Sequence, residues 1–466
     1  MAPMKRTLAI LGLLGLTAVW AGLTYQRAKG LDRDYRELLR SGDTALREDQ
    51  TFAAIEAYSN ALYFRPDSML AHLRRGETYQ RRGDLEAAAH DFQRAADLDP
   101  SATRPLEALG DIRYKQERFT RAAETYERLL GLDDRSSGVA RKLAVARYRD
   151  GNLDGAMAAL EQAAKLGDRL PDDYYLLGIC LREQGRPREA AAAFEKAVGL
   201  SPGLIAPREE LADLYGSLDR RIDQIEQLQL LAGLDRAHSE RQVALGLAQA
   251  RAGRVEVAVE TLRNALERAP DRTQIYGAIG QIWLDNAQAR NDPGALRKAI
   301  EALERAAPAA GATSDIMVLY GRALALDGQL ENAERALRQA TERFPVEPSA
   351  FAEYATIAER RGHAAEARAS LIQYGALISD ERELAMRARR IGVLSLKLNE
   401  PTDAVVWLRR AEAATPGDTT VLTPLAEALL RSGDHAAART TALRGLEQEP
   451  TSVALRSVEL RTRTPR

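Results

Sequence analysis

Two stretches of the chain decide its fold: LRRGETYQRRGDLEAAAHDFQRAADLDP at residues 73–100 and YLLGICLREQGRPREAAAAFEKAVGLSP at residues 175–202. The second begins 102 residues after the first, which is three times 34. Identical residues pair across the two stretches at Gly76 and Gly178, Gly83 and Gly185, Ala88 and Ala190, Phe92 and Phe194, Ala95 and Ala197, and Pro100 and Pro202. Self-similarity at a fixed spacing predicts a protein built from stacked repeats.

The same pattern continues along most of the chain. With Tyr35 as the first position of the first repeat, the eighth position holds Gly42, Gly76, Gly110, Ala144, Gly178, Ala212, Gly246, Gly280, Gly321, Ala355, Gly392 and Ala426. The twentieth position holds Ala54, Ala88, Ala122, Ala156, Ala190, Gln224, Ala258, Ala299, Ala333, Ala367, Ala404 and Ala438. We therefore predict about twelve repeats between Tyr35 and roughly Ser452.

Close packing of helices explains these residue types. Small residues at the eighth and twentieth positions allow the two helices of a repeat to approach closely. Large side chains are expected to fill the gap between successive repeats at Tyr58, Phe92, Tyr126 and Phe194. Turns between the helices are predicted at Gly83, Gly151, Gly185, Gly253 and Gly433. One unit cannot bury its apolar face alone, so the repeats must stack to be stable.

This 34-residue pattern resembles the tetratricopeptide repeat, and the whole chain is similar to membrane-anchored bacterial proteins of that family. The resemblance implies an all-α fold, a right-handed α-solenoid of about twelve helix–turn–helix units. It also implies that one face of each first helix lines a groove that binds proteins or peptides. The family's clamp for a C-terminal carboxylate uses paired Asn and Lys side chains, but this face has no Asn in repeats one to five. The sequence therefore argues against such a clamp.

Repeats three to five carry our candidate partner-binding residues. Positions two, five, nine and twelve of each first helix lie away from the packing face, and here they are rich in tyrosine and arginine, which often anchor interfaces. The candidates in the groove are Arg104, Asp111, Tyr114, Lys115, Arg141, Tyr148, Arg149, Tyr175 and Arg182. The alternative is an ordinary solvated helix face.

The N-terminal stretch MKRTLAILGLLGLTAVWAGLTYQRAKG differs from everything that follows it. Residues 7–26 carry no charge, and at about 1.5 Å per residue they reach roughly 30 Å, the thickness of a bilayer core. We expect a transmembrane signal-anchor helix at 7–26, between a short tail at 1–6 and a juxtamembrane segment at 27–34. Cleavage after Ala21 is the alternative, because small residues precede that bond.

The orientation of the anchor depends on basic residues at its two ends. Lys5 and Arg6 favour a cytoplasmic tail, whereas Arg27 and Lys29 after the span favour the opposite orientation. The start of the chain resembles a secretory signal, so we expect a single-pass membrane protein with periplasmic or extracytoplasmic repeats. Repeats on the cytoplasmic side are the alternative.

The predicted layout continues with repeats one to five at 35–204, a degenerate repeat six at 205–238, repeats seven to twelve at 239–452, and a capping helix and tail at 453–466. Repeat six lacks the turn glycine and carries Gln224, so it is either a drifted repeat or a joint between two arms. An insertion near 286–294 in repeat eight is either neutral or a contact for a partner.

Composition and motifs give no sign of catalysis. A balance of 66 Lys and Arg against 67 Asp and Glu predicts no nucleic-acid partner. The five histidines are scattered, and the single Cys180 lies among apolar residues in a helix. We therefore predict no enzyme activity, no cofactor, no metal and no evident small-molecule substrate. The expected function is a membrane-tethered scaffold that binds proteins in envelope assembly, secretion or export. The alternative is an accessory subunit that positions substrate for a separate enzyme.

Overall fold

The computed structural model describes Trp20 and residues 29–167, 170–234, 238–268 and 272–463. From residue 29 onward these residues form 25 helices and no strand, which confirms the all-α prediction for this part of the chain. The predicted span at 7–26 lies outside the described residues except for Trp20. Within the described part of the chain, no helix combines the length and the apolar character needed to cross a bilayer.

The chain divides into two compact units, Met1–Leu218 and Asp219–Arg466. The first unit contains α1 (29–47), α2 (Thr51–Phe64), α3 (Met69–Arg82), α4 (Leu85–Leu98), α5 (Thr103–Lys115), α6 (Phe119–Leu132), α7 (Ser137–Arg149), α8 (Leu153–Lys165), α9 (Pro171–Glu183), α10 (Pro187–Leu200) and α11 (Ala206–Ser217). The division falls between the two helices of repeat six. Whether that repeat acts as a joint stays a prediction.

The second unit continues the alternation of helices. It contains α12 (Arg221–Leu234), α13 (Ser239–Arg251), α14 (Val255–Leu266), α15 (Arg272–Arg290), α16 (Pro293–Ala306), α17 (Ser314–Leu326), α18 (Leu330–Glu342), α19 (Pro348–Arg361), α20 (Ala364–Leu377), α21 (Glu381–Lys397), α22 (Pro401–Ala414), α23 (Thr419–Arg431), α24 (His435–Gln448) and α25 (Val453–Arg463). In each unit, even-numbered helices pack on the odd-numbered helix that follows them, as stacked repeats require.

Glycine at the eighth position is explained by the large side chain at position 24 of the same repeat. A Cβ atom added to Gly76 would lie 2.8 Å from the ring of Phe92, and one added to Gly110 would lie 2.5 Å from the ring of Tyr126. The rings of Phe92 and Tyr126 therefore lie against the glycine of their own repeat. Both rings also belong to core clusters with residues of the following repeat, Leu109 and Leu143 respectively, as expected of side chains that fill the gap between repeats. The alanines at position 20 from Ala54 to Ala438 are completely buried, so the predicted close approach of the two helices is confirmed.

Turns between the helices of a repeat share one backbone conformation. All five predicted turn glycines, from Gly83 to Gly433, have positive φ. Repeats without a glycine form the same left-handed turn with Asp49, Glu117, Asp219, Asn291 and Asn399. In repeat six, Asp219 with φ 57° therefore takes the place of the glycine that the sequence lacks.

The insertion in repeat eight lengthens a helix. Helix α15 has 19 residues, whereas α13 of the preceding repeat has 13. The helix ends at the Asn-Asp-Pro-Gly sequence, since Asn291 turns with positive φ and α16 begins at Pro293.

At the C-terminus, α25 packs on α24 through Leu455 and Val458. Val453 and Leu460 of the same helix are exposed.

Candidate peptide-binding groove

Helices α5, α7 and α9 provide all nine candidate residues of the groove. A pocket of about 340 Å³ lies on this part of the first unit. It is lined by Asp111, Tyr114, Lys115, Tyr126, Arg141, Lys142 and Val145. The structure therefore brings four of the predicted residues together at one pocket, namely Asp111, Tyr114, Lys115 and Arg141. The other five lie outside its lining.

A hydrogen-bonded network connects repeats three and four at the wall of this pocket. The hydroxyl of Tyr126 donates to Asp111 Oδ1 at 2.7 Å. Lys142 Nζ donates to Glu107 Oε1 at 2.8 Å and to Asp111 Oδ2 at 2.9 Å. The carboxylate of Asp111, predicted to contact a partner, is therefore occupied within the protein.

The pKa shifts in this network agree with its geometry. Burial, and then the hydrogen bond to Asp111, raise the pKa of Tyr126, so its phenol stays protonated and keeps donating. Burial lowers the pKa of Lys142, but its hydrogen bonds to Asp111 and Glu107 outweigh that effect, and the net shift is upward. Tyr126 and Lys142 therefore both stay protonated, as donors, across the physiological pH range.

Three of the predicted arginines form ion pairs with acidic residues of neighbouring repeats. Arg141 Nε lies 2.9 Å from Asp173 Oδ1, and Arg104 lies 2.6 Å from Glu77. Arg182 pairs with Glu210. These three cations help to join successive repeats, which reduces the charge that they offer to a partner.

The remaining tyrosines are anchored by contacts between and within repeats. The hydroxyl of Tyr148 donates to Glu183 Oε1 at 2.9 Å, and burial followed by this hydrogen bond raises its pKa. The ring of Tyr175 packs against Phe194 with centroids 5.7 Å apart. Both rings are half-buried, so each keeps part of its surface available to a ligand.

Comparison with known families identifies the repeat. Family models described as tetratricopeptide repeat match residues 107–174 and 243–315, residues 69–102 and 171–204, and residues 420–444. The chain contains tetratricopeptide repeats. None of the matching family models describes an enzyme. No curated protein matches the chain significantly.

Several solved structures of tetratricopeptide-repeat (TPR) and other helical proteins are similar to parts of the chain. The MamA protein is 21% identical, covering 36% of this chain and 92% of its own, with a TM-score of 0.35. YrrB, described as a TPR protein with an unusual peptide-binding site, is 20% identical, covering 41% of this chain and 98% of its own, with a TM-score of 0.35. A TPR protein from Parabacteroides merdae is 15% identical, covering 54% and 99%, with a TM-score of 0.38.

Two cations of this candidate groove bind no acidic group among the residues that the structure describes. Lys115 is exposed and makes no hydrogen bond or ion pair with any residue that the structure describes. Arg149, also exposed, lies over the ring of Phe119 at 5.5 Å, and this ring contacts Tyr114 with centroids 5.3 Å apart. Aromatic rings beside available cations form a surface that can bind both an apolar group and an anionic group.

Sequence reasoning did not include Lys142 among the groove residues and assigned Tyr126 to packing alone. The sequence does contain a signal for the ion pairs of Lys142, because this residue follows Glu107 by 35 residues and Asp111 by 31, close to one repeat length. Opposite charges spaced by about one repeat can meet across neighbouring first helices.

Cys180 is buried as predicted, and burial raises its pKa to about 11, so it is an inert thiol.

Proposed function

We propose that this chain is a membrane-tethered TPR scaffold that binds an extended segment of a partner protein in the groove of α5, α7 and α9. The observation that carries the proposal is the pocket in front of Tyr114 and Tyr126, which has the available cation Lys115 on its lining. Its other walls are Val145 and the alkyl chains of Arg141 and Lys142, whose charged ends are held by Asp173, Glu107 and Asp111. The pocket therefore offers an apolar interior and one exposed positive charge.

The chemistry of the pocket selects the ligand. An aromatic or large aliphatic side chain would bury apolar surface against Tyr114, Tyr126 and Val145, at about 25 cal/mol per Å². A neighbouring Asp or Glu of the same segment would meet Lys115, and a further acidic residue would meet Arg149. The preferred partner segment is thus an apolar residue followed by acidic residues.

Binding of a synthetic peptide tests this assignment. A capped peptide containing Trp followed by two Glu residues is titrated into the full-length chain in detergent, with binding followed by calorimetry. Lys115→Glu should weaken binding by about 1 kcal/mol, or about fivefold, because it replaces attraction by repulsion. Val145→Trp, which fills the pocket, should abolish binding. The matched control is Lys397→Glu, an exposed lysine of the second unit, which should leave the affinity unchanged.

The proposed tether is residues 7–26, and the proposed location of the repeats is outside the cytoplasm, in a bacterial complex for envelope assembly, secretion or export. The uncharged run of residues and the basic residues around it support this part of the proposal. Alkaline phosphatase fused to the C-terminus should be active in a bacterial host. If that fusion is inactive, and a C-terminal fusion to a reporter that fluoresces in the cytoplasm is fluorescent, the repeats lie in the cytoplasm.

A further inference from the structure

A second pocket lies in the second unit, between α13 and the lengthened helix α15. It encloses about 370 Å³. Leu247, Val255 and Ile282 supply apolar surface, and Gln281, Asp285 and Asn286 supply polar groups. Gln281 and Asp285 are four residues apart on α15, so both side chains lie on the same face of that helix.

Asp285 differs from the acidic residues of the first groove. Glu107, Asp111 and Asp173 all bind cations of neighbouring repeats, whereas Asp285 makes no hydrogen bond or ion pair with any described residue. The pocket wall desolvates its carboxylate and raises its pKa, while the charges of Arg251 and Arg322 act in the opposite direction. The residue is nevertheless exposed and has no bonded counter-ion among the described residues, so its carboxylate is open to a ligand cation.

The insertion moves the thirteenth position of repeat eight away from the end of its helix. At the thirteenth position, most first helices carry a cation: Arg47, Arg81, Lys115, Arg149, Arg251, Arg360, Lys397 and Arg431. This position usually falls in the last turn of the helix, where the helix dipole favours positive charge. Helix α15 continues beyond Asp285 to Arg290, which supplies the basic residue of its last turn. Asp285 therefore lies outside the last turn, unlike Glu183, the acid at the thirteenth position of α9.

We propose that this pocket binds a lysine or arginine side chain of an extended partner segment, with an acidic residue next to it in that segment. The alkyl part of the basic side chain lies along Leu247 and Ile282, and its charged end pairs with Asp285. The amides of Gln281 and Asn286 make no hydrogen bond with other described residues, and each can both donate to and accept from the segment's backbone. Arg251 and Arg290 on the pocket lining match the adjacent acidic residue. The proposal does not depend on the groove of α5, α7 and α9.

Calorimetry with the full-length chain in detergent tests it. The probe is the capped hexapeptide Gly-Ser-Lys-Glu-Ser-Gly, and the control peptide has norleucine in place of lysine, which keeps the alkyl chain without the charge. The lysine peptide should bind at least about tenfold more tightly than the norleucine peptide. Asp285→Asn should reduce binding of the lysine peptide by at least about tenfold, and Asp327→Asn, an exposed acid outside the pocket, should leave it unchanged.

Three results would contradict the proposal. Equal binding of the two peptides, equal binding by wild type and Asp285→Asn, or no binding of the lysine peptide at millimolar concentration would each overturn the proposal. Asp285→Asn should not lower the melting temperature, because it removes an exposed carboxylate that bonds to no described residue. The norleucine comparison uses wild-type protein alone and so does not depend on any variant folding. Lys115→Glu should leave this affinity unchanged, which separates the result from that of the first groove.

Discussion

At the scale of single residues, glycine and an aromatic ring form the packing unit of several repeats. Gly76 and Phe92 lie in contact across the two helices of repeat two. Where position 24 is aromatic, at Tyr58, Phe92, Tyr126 and Phe194, the eighth position is always glycine. Leucine at position 24 occurs with glycine, as at Gly246 and Leu262, and also with alanine, as at Ala144 and Leu160 or at Ala355 and Leu371. A methyl group at position eight is therefore found beside leucine in this chain but not beside a ring.

Gly76→Ala should therefore destabilise the protein. The new methyl group overlaps the Phe92 ring, and overpacking of this kind costs about 1–3 kcal/mol in the free energy of unfolding. Adding Phe92→Leu should recover part of that loss, because it recreates the combination found at Ala355 and Leu371. Chemical denaturation monitored by circular dichroism measures both changes.

Gly199→Ala is the matched control for this prediction. Gly199 lies in helix α10, and a methyl group added there would have no neighbouring atom within 4 Å, so alanine should stabilise by up to about 1 kcal/mol. Equal effects at Gly76 and Gly199 would contradict the proposed role of the Phe92 ring.

A buried carboxylate in repeat two predicts a pH dependence. Asp91 is 1% exposed and accepts hydrogen bonds from Arg75 at 2.7 and 2.8 Å, and its Oδ1 lies 3.0 Å from His72 Nδ1. Burial alone would raise the pKa of Asp91, but these hydrogen bonds outweigh it and lower the pKa. Its contribution to stability is therefore complete above the ordinary aspartate pKa and is lost as the pH falls through the lowered value.

Asp91→Asn should remove about 2 kcal/mol of stability at pH 7, because Arg75 loses its buried counter-charge. The difference between wild type and variant should shrink as the pH is lowered below about 4. Urea denaturation at several pH values measures it. A difference that stays constant down to the lowest pH at which the protein folds would show that the charge of Asp91 is not involved.

At the scale of helices and turns, the backbone conformation is the same whether or not the sequence has a glycine. Glu117 has φ 59° in the turn between α5 and α6, although a side chain there costs about 1–2 kcal/mol relative to the right-handed conformation. The amide of Arg118 still donates to the carbonyl of Arg113 at 2.9 Å, which closes the C-terminus of α5. Helix packing thus imposes the turn on a residue that does not favour it.

Glu117→Gly should consequently stabilise the protein by up to about 1 kcal/mol, the steric relief less the entropic cost of glycine. The same substitution at Glu124, on the exposed face of α6, should destabilise by about 1 kcal/mol, because glycine weakens a helix interior. Thermal unfolding of the two variants should show shifts of opposite sign. A loss of stability at both positions would indicate that Glu117 makes a favourable contact.

Local features were predictable from sequence because they depend on spacing within one repeat. The turn glycines and the buried alanines of position 20 both follow from such spacing. The partner of a charged side chain was not predictable in this way. Arg141 could be expected on the groove face, but its pairing with Asp173 depends on how α7 and α9 lie side by side. Similarly, the insertion was visible in the sequence, but its extension of α15 was not.

At the scale of the whole molecule, binding capacity is set by which charges the repeats do not use among themselves. In the first unit, Arg104, Arg141 and Arg182 are paired between repeats, and Lys115 is not. In the second unit, Asp285 at the pocket beside α15 likewise forms no ion pair with any described residue. We propose that each of the two units offers a surface of its own, the first with an exposed cation at Lys115 and the second with an exposed acid at Asp285, so that the scaffold holds two different segments.

Site-specific photocrosslinking in intact membranes tests the scaffold proposal most directly. A benzophenone amino acid replaces Asp172, which is exposed on α9, or Glu124, which lies on α6 in the same unit. The full-length chain should crosslink to a distinct partner from position 172 and not from position 124, and Lys115→Glu should weaken that crosslink. No partner band from position 172, or the same bands from both positions, would contradict binding in this groove.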